Sequence, residues 1–190
     1  MHIYLVRHTK YHNPENIFPF HLPVYLSTEG RGHAQRIAEW FRHQKLLELP
    51  IYTSPILRCV QTAEIIAGAT GSFVMSDGRL VETASPDFQG KVKPATDSWK
   101  HEQEDPTREP QASIEDRVAD IFAEKMSIGQ DCILVSHGDP LTILYYRLQQ
   151  QPLPDHLWDP KNVDKVIDRG EIVEIEIKDG TVTNLKRRKV

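Results

Sequence analysis

The pattern of apolar and polar residues along the chain predicts strands that alternate with helices. Short apolar runs bounded by polar junctions are typical of strands that are buried on both faces. Four such runs occur at residues 3–6 (IYLV), 50–54 (PIYTS), 72–75 (SFVM) and 132–136 (CILVS). Stretches with helical periodicity follow them, and this alternation favours βαβ units. The predicted fold class is therefore α/β with a mostly parallel sheet.

The first two helices have identifiable start and stop signals. One helix is predicted from Ser27 or Thr28, because apolar residues then recur at i, i+3, i+4 and i+7. This apolar stripe consists of Ala34, Ile37, Ala38 and Phe41. A second helix is predicted with Ser54 as N-cap, Pro55 in its first turn and Gly68 as its left-handed end.

Two further helices and a hairpin complete the pattern. Ser113 and Asp116 form a capping signal that predicts a helix from Ser113. Asp139 and Pro140 predict another helix directly after the CILVS strand. Residues 171–177 (EIVEIEI) alternate apolar and charged residues before a KDG turn signal, so a hairpin is predicted at or near a sheet edge.

A polar insertion at about residues 83–112 interrupts this regular pattern. It is rich in proline and charge and shows no periodicity, and a loop of that length in a compact domain is usually functional or disordered. Five of its residues are candidates for covering a substrate, although a charge-rich loop can equally be solvated. They are Lys91, Lys93, Trp99, His101 and Arg108.

Composition narrows the class of protein. A chain of 190 residues, 39% of them hydrophobic, suits one domain spanning residues 1–190. The net charge of −4 gives no general attraction to nucleic acid or to an anionic membrane, although a small anion could bind locally. The initial apolar run is too short for a signal peptide or a membrane span. We therefore expect no nucleic-acid or membrane partner.

The cysteines and histidines indicate a cytoplasmic protein without a metal site. Cys59 and Cys132 lie far apart and form no CxxC pattern, which fits a reducing compartment. His8 and His12 have the spacing of a zinc pair on a helix, but a strand precedes them and Pro14 follows. We expect neither a metal ion nor another cofactor.

Arginine or histidine residues follow three of the predicted strands. Arg7 and His8 end the first strand, Arg58 follows the second, and His137 follows the CILVS strand. The carboxyl ends of parallel strands share one edge of the sheet, so these side chains should converge there. Two arginines and two histidines make an anion pocket, and the arginine fork matches phosphate oxygens.

Four short motifs along the chain resemble those of one family. LVRHT (5–9), TSPILRCVQTA (53–63), LVE (80–82) and SHG (136–138), in this order, are similar to the motifs of the histidine phosphatase superfamily, also called the phosphoglycerate mutase-like family. An Arg-His pair alone is more often structural than catalytic, whereas four motifs in order are specific. The resemblance covers essentially the whole chain and implies a three-layer αβα sandwich.

The resemblance also implies residue roles. His8 would be the nucleophile of a phosphohistidine mechanism, Arg7, Arg58 and His137 would hold the phosphoryl group, and Glu82 would be the proton donor. A Phe-x-Gly element at residues 88–90 supports Glu82 over its acidic neighbours. Taken alone, Arg58 could be a solvated helix residue, His137 a helix cap or core residue, and Glu82 a surface carboxylate.

The wider substrate-binding set is predicted from the same motifs. It comprises Arg7, Thr9, Asn13, Arg58, His137 and Gly138. Thr9 stands where the family usually has glycine, and its hydroxyl could touch the phosphate or point away. Asn13 fills the position of a family asparagine, with Asn16 as the alternative.

The predicted chemistry needs no metal. A neutral imidazole can attack phosphorus near pH 7 if its other nitrogen is held by an acceptor, and fixed donors around the phosphoryl oxygens stabilise the loose transition state. The predicted function is a metal-independent phosphomonoesterase acting on a small phosphorylated metabolite. The alternatives are a phosphoglycerate mutase-type phosphotransferase, which the chain length disfavours, and a non-catalytic phosphate-binding module. Substrate identity and oligomeric state stay open.

Overall fold

The computed structural model describes residues 1–95, 100 and 105–190, so Trp99 and His101 lie outside the described residues. Within the described chain, six strands form one sheet and helices cover it. The strands are β1 (His2–Arg7), β2 (Ile51–Thr53), β3 (Val74–Ser76), β4 (Cys132–Ser136), β5 (Ile172–Lys178) and β6 (Thr181–Arg188). The helices are α1 (Thr28–His43), α2 (Leu57–Thr70), α3 (Gln111–Ile128) and α4 (Gly138–Leu148), with 3₁₀ turns at Gly78–Leu80 and Pro160–Lys165.

The sheet has the order β3-β2-β4-β1-β5-β6. The first four of these strands run parallel, and β5 and β6 form an antiparallel hairpin with β6 at the edge. The predicted α/β class, the mostly parallel sheet and the hairpin are therefore confirmed. The most buried strands, β1 and β4, pair directly in the centre, where short apolar runs are most stable.

Alternate residues of the central strands feed two apolar layers. On one face Ile3 and Leu5 of β1 pack with residues of α3 and α4. On the other face Tyr4 and Val6 pack with residues of α1 and α2, including the predicted stripe. Since successive strand side chains point to opposite faces, the apolar run IYLV supplies both layers. The three-layer αβα sandwich is confirmed.

Some helix boundaries differ from the prediction. α2 begins at Leu57 with Ile56 as its N-cap, so Pro55 precedes the helix and Ser54 does not cap it. It ends at Gly71, which has a φ of 73°, rather than at Gly68. The Gly71 amide donates to the carbonyl of Ala67, and glycine adopts the left-handed conformation of this helix end without strain.

The third helix starts earlier than its sequence signal. α3 begins at Gln111 after Pro110, two residues before the predicted start at Ser113. The Ser113 hydroxyl donates to Glu109 Oε1 at 3.0 Å instead of capping the helix. The polar insertion therefore ends slightly before residue 112. The fourth predicted helix begins at Gly138, with Asp139 and Pro140 in its first turn.

Part of the insertion forms a short antiparallel ribbon with the β1–α1 loop (residues 8–27). The Phe18 amide donates to the Lys91 carbonyl at 2.9 Å, and the Lys93 amide donates to the Asn16 carbonyl at 2.8 Å. Ile17 and Val92 pair between them. This ribbon brings Lys93 above the carboxyl edge of the sheet. In the part of the chain that is described, no helix is long and apolar enough to cross a membrane.

Candidate active site

The carboxyl ends of β2, β4 and β1 lie side by side because these strands are neighbours in the sheet. The register aligns Arg7 with Ser136, and the His8 amide donates to the Ser136 carbonyl at 3.0 Å. His8 and His137, the residues that directly follow β1 and β4, therefore face each other. Their ring centroids are 5.2 Å apart, so the predicted convergence of the two imidazoles is present.

The His8 ring has a defined tautomer. Its Nδ1 lies 2.8 Å from the Thr9 carbonyl oxygen, which can only accept a hydrogen bond, so Nδ1 carries the proton. The lone pair is then on Nε2, which accepts a hydrogen bond from Arg58 Nε at 3.3 Å. A neutral imidazole with its nucleophilic nitrogen among cationic donors is suited to attack on phosphorus.

Burial and neighbouring charge keep His8 neutral. The residue is only 2% exposed. Desolvation, followed by the positive charges of Arg58 and Arg7, holds the pKa of His8 well below its usual 6.5. The lone pair that a nucleophile needs is therefore available at neutral pH.

Two buried guanidinium groups, those of Arg7 and Arg58, belong to the same site as His8. Arg58, in the first turn of α2, donates through Nη2 to the Phe20 carbonyl at 2.7 Å. Arg7 donates through Nη1 to the Ile167 carbonyl at 2.7 Å, whereas its Nε has no hydrogen-bond partner among the described residues. A buried donor without a partner is costly unless a ligand meets it. The arrangement is suited to an oxyanion.

His137 is completely buried beside Ser54. Its Nε2 lies 2.8 Å from Ser54 Oγ and 3.3 Å from Cys59 Sγ, and its Nδ1 lies 3.8 Å from Glu82 Oε2. Burial is the main reason, with Arg58 next, why the pKa of His137 lies well below 6.5. Ser54, predicted as a helix cap, instead orients this histidine.

Glu82 faces the same space with its side chain 15% exposed. Its Oε1 accepts a hydrogen bond from the Thr83 amide at 2.9 Å. Burial, and then the negative charge of Asp139, raises the pKa of Glu82 above the ordinary carboxyl value of 4.5. A carboxyl group that is protonated more readily than usual can act as a general acid.

Asp139 is hydrogen-bonded to two residues of the insertion and to Trp158. Its Oδ2 accepts hydrogen bonds from the Thr83 hydroxyl at 2.7 Å and from Arg108 Nη2 at 2.5 Å. Its Oδ1 accepts from the Trp158 indole at 2.6 Å. Both carboxylate oxygens are thus engaged, and Arg108, a predicted substrate-covering residue, is held by Asp139 instead.

These groups surround a cavity of about 270 Å³ at the carboxyl edge of the sheet. Aromatic rings and proline form much of its wall, and charged groups form the rest. The lining residues are Arg7, His8, Tyr11, Phe18, Pro19, Phe20, Arg58, Glu82, Lys93, Asp139, Trp158 and Arg169. The volume is slightly below that of pockets for drug-sized ligands, which favours a small metabolite.

The structure brings together most of the predicted site but not all of it. Arg7, His8, Arg58 and Glu82 line the cavity, whereas His137 does not line it and instead packs edge-to-face against the His8 ring. Thr9 is fully buried away from the cavity, and its hydroxyl has no hydrogen-bond partner among the described residues. The structure therefore gives no support for contact between the Thr9 side chain and substrate, and a role for Thr9 in substrate binding stays a prediction.

Asn13 and Gly138, two further residues of the predicted substrate-binding set, have structural roles and do not line the cavity. The Asn13 amide group bonds both the carbonyl and the amide of Ile17, which closes a turn of the β1–α1 loop, so Asn13 does not line the cavity. The predicted contact of Asn13 with substrate is not supported. A Cβ on Gly138 would lie 2.8 Å from the Trp158 ring and 3.0 Å from the Arg7 guanidinium. Glycine there permits Arg7 and Trp158 to pack together.

Several lining residues carry no local sequence signal. Tyr11, Phe18 and Phe20 belong to the β1–α1 loop, and Trp158 and Arg169 belong to loops near the C-terminus. No motif or periodicity marks these positions, so only the chain's path over the site reveals them. Lys93 was a candidate on account of its place in the insertion, and it does line the cavity.

The fold and the site together define a class of protein. The chain belongs to the histidine phosphatase superfamily (branch 1), since a model of that family matches residues 3–188. The family resemblance of the four motifs is thereby confirmed.

Individual relatives agree with this assignment. The chain is 30% identical over 154 residues to "Putative phosphoserine phosphatase 2" of Hydrogenobacter thermophilus, across 73% of this chain and 74% of that protein. It is 39% identical over 93 residues to phosphoglycerate mutase-like protein 4 of Arabidopsis thaliana, but that match covers 47% of this chain and 40% of the relative. The matches to this plant protein and to two further curated relatives thus span less than half of each relative's length.

Solved structures share the fold. YhfR of Bacillus stearothermophilus superposes with a TM-score of 0.79 at 26% identity, over 96% of this chain and 94% of that one. A mycobacterial glucosyl-3-phosphoglycerate phosphatase gives a TM-score of 0.75 at 20% identity, over 98% and 95% of the two chains. At that lower identity the likeness concerns the fold alone.

Proposed function

We propose that this protein is a metal-independent phosphomonoesterase that hydrolyses a small phosphorylated metabolite through a phosphohistidine on His8. The observation that carries the proposal is the neutral His8 ring, whose Nε2 lone pair faces Arg58 while Nδ1 is held by the Thr9 carbonyl. Membership of the histidine phosphatase superfamily supports the same reaction. The size of the cavity supports a small substrate.

In the first step His8 Nε2 attacks phosphorus while the bond from phosphorus to the ester oxygen breaks. Glu82 gives its proton to the departing oxygen, which leaves as an alcohol. Arg7 and Arg58 donate to the phosphoryl oxygens, because the loose transition state spreads charge over them. The hydrogen bond that Arg58 Nε makes to His8 Nε2 would then pass to the phosphoryl group.

In the second step water attacks phosphorus and the phosphorus–nitrogen bond breaks. The electron pair returns to Nε2 of His8, and the Glu82 carboxylate takes a proton from the attacking water. Inorganic phosphate leaves and both residues regain their initial protonation. Glu82 thus serves as acid and then as base, which suits a carboxyl with a raised pKa.

The nucleophile is tested by removing its ring. We expect His8→Ala to lower phosphate release from 4-nitrophenyl phosphate by about a thousandfold or more, since the covalent route is lost. His12→Ala is the matched control, because His12 is exposed and stacks on Tyr25 outside the cavity. Rapid quenching of the wild type with a radiolabelled ester should trap a phosphoramidate that is stable to alkali and absent from His8→Ala.

Four outcomes would contradict the proposal. Full activity in His8→Ala would remove the nucleophile. Loss of activity with EDTA and recovery with a divalent cation would favour a metal-dependent reaction. Isomer formation from 3-phosphoglycerate without release of inorganic phosphate would indicate a mutase, and anion binding without any turnover would indicate a binding module.

A further inference from the structure

Arg7, one of the two buried arginines of the site, is oriented by a single hydrogen bond within the described chain. Its Nη1 donates to the Ile167 carbonyl at 2.7 Å, and its guanidinium makes no other hydrogen bond to the described residues. The Trp158 ring lies against the group, with Arg7 Cζ 5.1 Å from the ring centroid. A neutral carbonyl sets the direction of the guanidinium without cancelling its charge, whereas a carboxylate would compete with a bound oxyanion. The position of the Ile167 carbonyl therefore decides where Arg7 points.

Ile167 belongs to a segment, residues 164–171, that lies alongside the end of β1. The Arg7 amide donates to the Glu171 carbonyl at 3.2 Å, and the Gly170 amide donates to the Arg7 carbonyl at 3.0 Å. These bonds continue the antiparallel pairing of β1 with β5 beyond the strand ends. The backbone of Arg7 is thus bonded to one end of the segment and its side chain to the middle of it.

One side chain of the edge strand, Arg187 of β6, binds this segment at three places. Its Nη1 donates to the Asp164 carbonyl at 2.8 Å, and its Nη2 donates to the Val166 carbonyl at 2.7 Å. Its Nε and Nη2 also donate to the two carboxylate oxygens of Glu171, at 2.5 and 2.7 Å. These partners lie before and after Ile167 in the chain. Arg187 therefore holds the segment on both sides of the carbonyl that binds Arg7.

The ion pair between Glu171 and Arg187 lies where its loss is costly. The Glu171 side chain is 1% exposed and the Arg187 side chain is 22% exposed. A buried carboxylate that loses its partner is strongly destabilised, so the pair keeps the groups around it in one arrangement. Neither residue lines the cavity. The pair therefore acts on the site through the segment that it holds.

We propose that Arg187 is a positioning residue for Arg7: it holds segment 164–171 so that the Ile167 carbonyl directs the Arg7 guanidinium at the phosphoryl group. The inference rests on the proposed function for its kinetic test, whereas its anion-binding test requires no turnover. A side chain of the last strand thereby supports the phosphoryl site without touching it.

The kinetic test uses Arg187→Lys, which keeps a positive charge opposite Glu171 but removes the planar fork that reaches the two backbone carbonyls. We expect kcat/KM for 4-nitrophenyl phosphate to fall by about ten- to a hundredfold, because a small displacement of a phosphoryl-binding group is costly in the transition state. The inhibition constant of vanadate, which imitates that transition state, should rise by a comparable factor.

Arg188→Lys is the matched control, because Arg188 directly follows Arg187 and also pairs with a glutamate. Its Nε and Nη2 both donate to Glu174 Oε2, and its Cζ lies 5.4 Å from the centroid of the Trp40 ring. These contacts are to β5 and α1 and not to segment 164–171. This variant should keep kcat/KM and vanadate inhibition within about twofold of the wild type.

Positioning is separated from a general structural effect by repeating Arg187→Lys in an Arg7→Gln background. If Arg187 acts through the Arg7 guanidinium, Arg187→Lys should change kcat/KM there by less than about twofold, because the group that it directs is gone. A loss of folded protein would instead lower the activity in both backgrounds alike. Urea denaturation of each variant measures how much of it is folded.

Thr142→Val is a second variant that leaves no charge without its partner. The Thr142 hydroxyl, in α4, accepts a hydrogen bond from the Ile167 amide at 3.2 Å, so it holds the same part of the segment from another side. We expect a smaller loss of kcat/KM, about three- to tenfold, which also disappears in the Arg7→Gln background.

The affinity for inorganic phosphate is measured by calorimetry in a His8→Ala background, where turnover is removed. Arg187→Lys should weaken phosphate binding by about tenfold there, since a charge-assisted hydrogen bond to the anion is misdirected. Arg188→Lys should not weaken it. This result would support the role of Arg187 even if the wild type hydrolyses no ester.

Two results would overturn the inference. One is an Arg187→Lys variant with the kcat/KM and the phosphate affinity of the wild type. The other is an equal loss of kcat/KM with and without the Arg7 guanidinium. If Arg187→Lys does not fold, Thr142→Val decides by the same two criteria. If 4-nitrophenyl phosphate is still hydrolysed through His8 in either case, the proposed function stands and only the role of Arg187 fails.

Discussion

At the scale of single residues, the pKa values of His8 and Glu82 are shifted in opposite directions. Burial among arginines lowers the pKa of His8, so the ring keeps its lone pair. Burial, and then the negative charge of Asp139, raises the pKa of Glu82, so this carboxyl holds a proton up to a higher pH than an ordinary carboxyl does. Both shifts come from one cavity, because desolvation disfavours whichever form of a group is charged. A pair of titratable groups shifted apart in this way is typical of acid–base and nucleophilic assignments.

The role of Glu82 can be tested through the leaving group. Glu82→Gln should slow hydrolysis of an alkyl phosphate by about a hundredfold or more, and that of 4-nitrophenyl phosphate much less, because nitrophenolate leaves without a proton. Steady-state rates on the two esters give the comparison. Equal losses on both would place the general acid elsewhere.

The pH dependence of alkyl ester hydrolysis should report the Glu82 proton. The acid form is required, so kcat should fall as the pH rises through the raised pKa of Glu82. Asp139→Asn removes the second cause of that shift, so this decline should begin at lower pH. Asp116→Asn, at an exposed position of α3, should leave the profile unchanged. If the pH profile of Asp139→Asn matches that of the wild type, Asp139 does not raise the pKa of Glu82.

At the scale of elements, helix α1 fixes the path of the loop that follows His8. The Ser27 amide donates to the Lys10 carbonyl at 3.0 Å, and Gly30 packs directly against the same carbonyl. Because Lys10 is only two residues from His8, the start of α1 helps to set the position of the β1–α1 loop next to His8. This contact requires glycine at position 30, which no local helix signal indicates.

Two glycines of α1 provide a matched pair for testing this contact. A Cβ at Gly30 would lie 1.8 Å from the Lys10 carbonyl oxygen, whereas a Cβ at Gly32 meets nothing within 4 Å. Gly30→Ala should therefore lower the free energy of unfolding by about 1–3 kcal/mol through overpacking. Gly32→Ala should raise it by about 0.5–1 kcal/mol through helix propensity. Urea denaturation of both variants checks the difference, and equal stability would refute the contact.

At the scale of the whole molecule, the buried histidines link function to stability. His8 and His137 have folded-state pKa values below 6.5, so under mildly acidic conditions the unfolded chain binds protons that the folded chain does not. The free energy of unfolding should therefore fall as the pH drops below about 6.5, by at most about 1.4 kcal/mol per pH unit for each histidine. Glu82, shifted upward, acts in the opposite direction.

The contribution of His137 to the pH dependence of the free energy of unfolding is isolated by comparing a variant with the wild type. Chemical denaturation between pH 7.5 and pH 5.5, a range chosen about the usual histidine pKa of roughly 6.5, should show a smaller loss of stability for His137→Gln than for the wild type. His43→Gln is the control, since that side chain is 71% exposed. Parallel pH dependences for the wild type and His137→Gln would mean that His137 is not held neutral by the fold.

The sequence by itself determined the sheet and the inner half of the site. Apolar runs identify buried strands because both faces of a central strand are covered, and the residue after such a strand necessarily lies at the sheet's carboxyl edge. Arg7, His8, Arg58 and His137 could therefore be predicted from position, and Glu82 from its motif. Only the tertiary structure decided the outer half: the inward turn of Thr9, the role of Ser54 and the approach of Lys93, Trp158 and Arg169. Those positions depend on how loops distant in sequence pack over the sheet, and no local periodicity encodes that packing.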